Sequence, residues 1–129
     1  MTTPVEYDDA GPEVRAVYDE IMALRGVADV NNFWKYLAHD PVELRSVWET
    51  LRDVMADGAL SPEVKELIYV AVSIANGCDY CVASHGAAAS AKGASAEMMN
   101  EMRRVVAMAS RTNALATALR VPVDPQFQD

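Results

Sequence analysis

Two thiols and an imidazole lie close together near the middle of the chain. Cys78 and Cys81 enclose Asp79-Tyr80, and His85 follows four residues after Cys81. The chain has only two cysteines and two histidines, so both thiols and half the imidazoles fall between positions 78 and 85. On a helix, residues three and four apart share a face, which sets the three side chains beside one another. Neighbouring thiols interconvert between dithiol and disulfide, while an imidazole takes or returns a proton near neutral pH. A reversible redox centre is the chemistry that these types and spacings point to. A helix start near Cys78 would favour it further. The unpaired amides of a first turn stabilise a thiolate, and a disulfide across three residues fits that looser turn better than a regular helix interior. Such electrostatics favour Cys78 as readily as Cys81.

Glu66 is the third element, twelve residues before Cys78. Along one unbroken helix that interval spans roughly 18 Å, too far for contact. A reversal at Asn76-Gly77 brings Glu66 to the height of His85 on a returning helix. A partly buried carboxylate there orients the ring and raises its proton affinity, giving a relay from carboxylate through imidazole to thiol. Competing readings exist. Cys78, Cys81, His85 and Glu66 are all acceptable zinc ligands, although three ligands on one short helical segment is an unusual arrangement and there is no second CxxC or histidine pair. Two inert buried thiols are the plain alternative, and Glu66 alone reads as a solvated residue beside Lys65. His39 lacks a neighbouring nucleophile or ligand and is left outside the site. No metal and no tightly bound cofactor is expected: there is no glycine-rich phosphate loop, no calcium loop and no supportable Ser-His-Asp arrangement.

The elements that must position these residues are helices. Gly11-Pro12 opens one through about Leu24, with Val14, Val17, Tyr18 and Ile21 at helical spacing and Gly26 as its stop. Val30, Phe33, Trp34 and Leu37 suggest a short helix. Asp40-Pro41-Val42-Glu43 starts another, expected to run from about Pro41 to Ala56. Ser61-Pro62 starts the next, which is apolar on nearly every side and reads as a central buried helix ending at Asn76-Gly77. A helix from about Cys78 to Ala91 carries the redox residues, closed by Lys92-Gly93. Ser95 caps a last helix, followed by a weaker helical stretch through Leu119. Trp34, Trp48 and the seven methionines are assigned to core and subunit packing. The small-sided run of alanines from Ala83 to Ala91 reads equally as good helix propensity or as a tight subunit contact.

At 129 residues the chain is read as one all-α domain over 1–129, with its redox segment at 60–93 and a tail from about 121 that leaves the packed body. A hydrophobic fraction of 51% with 23% charged residues is that of an ordinary globular protein. The formal net charge of −8, with scattered basic residues, disfavours nucleic acid and anionic membrane as partners. No uncharged apolar run reaches the ~18–20 residues of a membrane span, and no secretory leader is seen, so a cytoplasmic location is expected. In that reducing compartment, paired cysteines favour redox or metal work over a permanent staple.

Glu66, the interval to Cys78, the CxxC and His85 together resemble the active-site pattern of the alkylhydroperoxidase D-like branch of the carboxymuconolactone decarboxylase family. The run from Leu60 through His85 is similar throughout, and the likeness is strong over about residues 42–110. It implies a compact helical fold assembling as a homo-oligomer, commonly a trimer or a hexamer built from trimers. It further implies a thiol peroxidase acting on hydrogen peroxide or organic hydroperoxides. Cys81 would attack the peroxide, Cys78 would resolve the sulfenic acid as a disulfide, and His85 with Glu66 would relay protons. Electrons would come from an external dithiol or a lipoyl-bearing donor protein. Some members carry histidine immediately before the second cysteine, where this chain has Tyr80. Lactone decarboxylation is the family's other activity, and a redox-sensing or disulfide-exchange oligomer is the non-catalytic alternative.

Overall fold

Proline in a first turn starts three α-helices and glycine just beyond a last turn ends two in the computed structural model, which describes residues 2–128. Met1 and Asp129, the ends of the domain read above, lie outside the described residues. Six α-helices follow one another: α1 (Pro12–Arg25), α2 (Asn32–Leu37), α3 (Pro41–Met55), α4 (Pro62–Asn76), α5 (Asp79–Ala91) and α6 (Ala96–Ala118). Short 3-10 turns at Tyr7–Asp9 and Pro125–Phe127 flank them, and no strand occurs among the described residues. The fold is all-helical, as the sequence predicts. Asp40 accepts the amide of Glu43, Ser95 accepts that of Met98, and Gly26 and Gly77 end their helices in the left-handed region. The weaker stretch expected before Leu119 is continuous with α6, without a break.

The chain packs as two compact units that divide after Ala56. In the first, Val14, Val17, Tyr18 and Ile21 of α1 meet Trp34 of α2 and Leu44 and Trp48 of α3 in one core. The two indoles pack edge to face at 5.6 Å, with the Arg25 guanidinium over both. This is the core role that the sequence assigns to Trp34 and Trp48. Beneath them Lys35, only 7% exposed, binds Glu6 and Asp29 at 2.7 Å each. Tyr18 donates its hydroxyl to the Val5 carbonyl, and the Val5 amide reaches the Lys35 carbonyl, so the segment before α1 is tied down.

The second unit is an α4–α5 hairpin with α6 against α4. Its core is smaller: Val70, Ala89, Ala94 and Met99, with Leu67, Ile74, Val82, Met98 and Met102 packed around them. Here the expectation of a central buried α4 is corrected. Glu66, Val70 and Ser73 are its buried residues, whereas Ile68 and Val72 are 48% and 53% exposed. Positions 68 and 72 lie about half a turn around the helix from 66 and 70, on a side that stays half open to solvent. Residues from Arg120 to Gln128 are exposed.

Candidate active site

The site is assembled by the turn between α4 and α5. Gly77, at φ 70°, reverses the chain while its amide and that of Cys78 bond back to the last turn of α4. Cys78 therefore precedes α5 rather than lying within it. It occupies the N-cap position in extended conformation, and its Sγ accepts the Cys81 amide at 3.2 Å. A sulfur at this position sits among the unpaired amides of a first helical turn, which favour negative charge. Cys78 and Cys81 are joined as a disulfide, their Cα atoms 5.3 Å apart, and both are half-buried. His85 follows one turn along α5.

Returning along α4, α5 brings His85 level with Glu66. Nδ1 of His85 lies 2.7 Å from Oε2 of Glu66, whose residue is only 4% exposed. The other carboxylate oxygen, Oε1, accepts from Nζ of Lys92 at 2.6 Å. Both oxygens of a buried carboxylate are thus engaged by groups that can carry positive charge. Burial pushes the Glu66 carboxyl up, but the hydrogen bonds and charges of His85 and Lys92 outweigh it and hold the group below the usual carboxylate range. Facing an ionised carboxylate, Nδ1 of His85 must be the protonated, donating nitrogen. Nε2 is then the nitrogen left to exchange a proton. The ring's plane is held by Tyr69, stacked on it with centroids 3.6 Å apart and 17° between planes.

The structure brings together all four residues singled out in the sequence: Cys78 and Cys81 in the disulfide, His85 a turn beyond, and Glu66 on His85. His39, left outside, bonds the Thr3 carbonyl in the other unit. Tyr80 is exposed in the first turn of α5. Sequence reasoning missed Lys92, read only as part of a helix stop, and Tyr69. Each carried a periodic signal: Tyr69 is three residues beyond Glu66 and Lys92 seven beyond His85, one and two helical turns along the same faces. Among the described residues no group of three or more histidine, cysteine or acidic side chains is placed to hold a metal ion, and no helix is long and apolar enough to cross a membrane.

A helical hairpin with a disulfide-capable CxxC at its turn and a buried carboxylate–imidazole pair beside it defines an all-α protein with a dithiol site. The chain belongs to the carboxymuconolactone decarboxylase family, whose model matches residues 42–124, and within it to the alkylhydroperoxidase D-like branch. It is similar to the crystal structure of an alkylhydroperoxidase AhpD core from Rhodospirillum rubrum, at 50% identity with a TM-score of 0.87, covering 90% of this chain and 86% of that one. No curated protein matches the chain.

Proposed function

We propose that the protein is a thiol-dependent peroxidase that reduces hydrogen peroxide or organic hydroperoxides through the Cys78–Cys81 pair. The observation that carries this reading is the buried Glu66–His85 hydrogen bond one helical turn from a disulfide-capable CxxC. In the dithiol form, Nε2 of His85 takes the Cys81 proton. The thiolate attacks the peroxide, a sulfur–oxygen bond forms as the oxygen–oxygen bond breaks, and the leaving alkoxide or hydroxide takes the proton back from His85. Cys78 then displaces water from the Cys81 sulfenic acid and closes the disulfide. The two electrons lost are restored by an external dithiol, of which a lipoyl group on a donor protein is one form. The assignment of attack to Cys81 rests on the family pattern and on the position of His85.

The reading extends to assembly and location. Ile68 and Val72 on α4, with Val105, Met108 and Leu115 on α6, leave much of the second unit's apolar surface open to water. A homo-oligomer, a trimer or a hexamer built from trimers, would cover such a surface. A reducing cytoplasm suits a disulfide that must be reopened on every cycle.

The test is one equivalent of cumene hydroperoxide added to reduced protein, followed by intact mass and free-thiol titration. Loss of two thiols with a fall of about two mass units, through an oxidised Cys81 in Cys78→Ser, is the expected result. Cys81→Ser should not turn over. Equal multi-turnover activity in both mutants overturns the scheme, and unreactive thiols with activity on a lactone would move the protein to decarboxylation.

A further inference from the structure

Lys92 closes α5, and its side chain reaches back along the helix to Glu66. The carboxylate it meets is already held by His85, so one buried anion is shared between a permanent cation and a ring whose charge changes. We infer that Lys92 is a positioning residue of the redox site: it keeps Glu66 ionised while His85 is uncharged, so that the carboxylate stays an acceptor for Nδ1–H and never claims the ring's proton. This rests on the peroxidase reading above.

The argument follows the proton. A carboxylate removed from water and left without a cation takes up a proton instead. His85 can serve as that cation only while protonated, and the proposed cycle removes its proton each time an alkoxide departs. Were His85 alone, Glu66 would become a neutral acid at that moment, and a protonated oxygen no longer fixes Nδ1–H as the donor. Lys92 supplies the missing charge at the other oxygen, 2.6 Å away. Its own side chain is 38% exposed, so the ammonium keeps part of its hydration while the carboxylate beneath it is almost sealed. The groups that bond the carboxylate, or stack on the ring that does, come from two helices: Glu66 itself and Tyr69 from α4, His85 and Lys92 from α5. What α6 packs into the adjoining core is apolar, Met98, Met99 and Met102.

The experiment compares Lys92→Met, Lys92→Gln and Lys92→Arg with the parent, all in the full chain carrying Cys78→Ser so that one thiol titrates. Iodoacetamide alkylation of Cys81 is followed by mass from pH 3.5 to pH 9, with helicity confirming folding at each pH and hydroperoxide turnover measured in the two-cysteine forms. An opposite charge this close shifts a carboxyl by about one unit or more. The acid limb of the alkylation profile should therefore rise by about one pH unit in Lys92→Met and Lys92→Gln, an approximately tenfold loss of rate on that limb with little change at pH 8.5. Lys92→Arg should restore the parent profile. Profiles that superimpose, or a loss that is equal at every pH, overturn the inference. A shifted alkylation profile in a protein whose two-cysteine parent reduces no hydroperoxide upholds Lys92's role and overturns the peroxidase reading instead.

Discussion

Among the described residues each unit of this protein buries one charged side chain, and the two are wired in opposite senses. In the first, the cation Lys35 is enclosed and its carboxylates, Glu6 and Asp29, stand at the surface. In the second, the anion Glu66 is enclosed and its partners, His85 and Lys92, are the more exposed members. Asp29 is held below the usual carboxylate range by its hydrogen bond to Lys35, and Lys35 is raised above its ordinary value by its bonds to Asp29 and Glu6, so the Lys35–Asp29 pair keeps its charges throughout the neutral range. The second cluster contains an imidazole, a side chain that ordinarily titrates near neutral pH. The first arrangement fastens a segment; the second can pass a proton. Burial of a charge is common to both, and it is the partner able to change charge that separates a relay from a fixture.

The comparison breaks most sharply by mutation. Glu66→Gln removes the anion that orients His85, and general acid–base assistance of this kind contributes about 10²–10⁴-fold, so peroxide turnover should fall within that range while the first unit is untouched. A fall of less than threefold would deny Glu66 a part in the relay. Trp48→Ala makes the reciprocal cut. Emptying a fully buried indole site costs about 3–5 kcal/mol, which chemical denaturation will detect, yet the alkylation rate of Cys81 in the folded fraction should be unchanged.

A pH titration sharpens the contrast further. Glu66 has a folded value below its unfolded one, so its stabilising contribution is complete above the unfolded carboxyl value of about 4.3 and is lost as pH falls through the lower folded value. Asp29 behaves in the same sense, so acid weakens both units. Lys35 is raised instead. Its contribution is complete below the unfolded lysine value of about 10.4 and is lost as pH climbs through the higher folded value. Tyr18, raised chiefly by burial, loses stability in the same direction. Both belong to the first unit, which also holds the chain's two tryptophans. Indole emission should therefore shift to the red in strong alkali, and Lys35→Met should reduce the alkaline dependence to the part that Tyr18 contributes while leaving the acid one from Glu66. An alkaline transition of unchanged size in Lys35→Met would remove Lys35 as its cause.

Much of this arrangement was legible in the sequence because it depends on backbone punctuation. Pro12, Pro41 and Pro62 stand at the starts of their helices, Gly26 and Gly77 at the ends of theirs, and the reversal at Asn76-Gly77 was enough to set Glu66 opposite His85. What depends on side-chain reach was not legible. Lys92 lies two turns beyond His85 on the same face of α5, but that spacing says only where its stem starts; a flexible four-carbon chain can turn to solvent or to the carboxylate, and the sequence does not say which. The open side of α4 was hidden for another reason. Apolar Ile68 and Val72 say that a surface is to be covered, but periodicity does not say whether the cover comes from the same chain.

Tyr69 provides the finest cut between a fixture and a relay, because its contribution is geometric. Its ring lies flat on His85, with centroids 3.6 Å apart, so the aromatic face is what meets the site. Aromatic pairs are worth about 0.5–1.5 kcal/mol beyond the area they bury, so losing the stack should slow Cys81 alkylation roughly two- to tenfold. Tyr69→Phe keeps the face and should retain the parent rate; Tyr69→Leu keeps most of the bulk, loses the face and should show the loss. If instead Phe and Leu are equally slow, the hydroxyl rather than the stack is what the site uses. If neither changes the rate, the Glu66 hydrogen bond alone fixes the imidazole. In the expected case the ring is held on two sides, by the carboxylate at its edge and by Tyr69 on its face, and its freedom is reduced to the proton on Nε2.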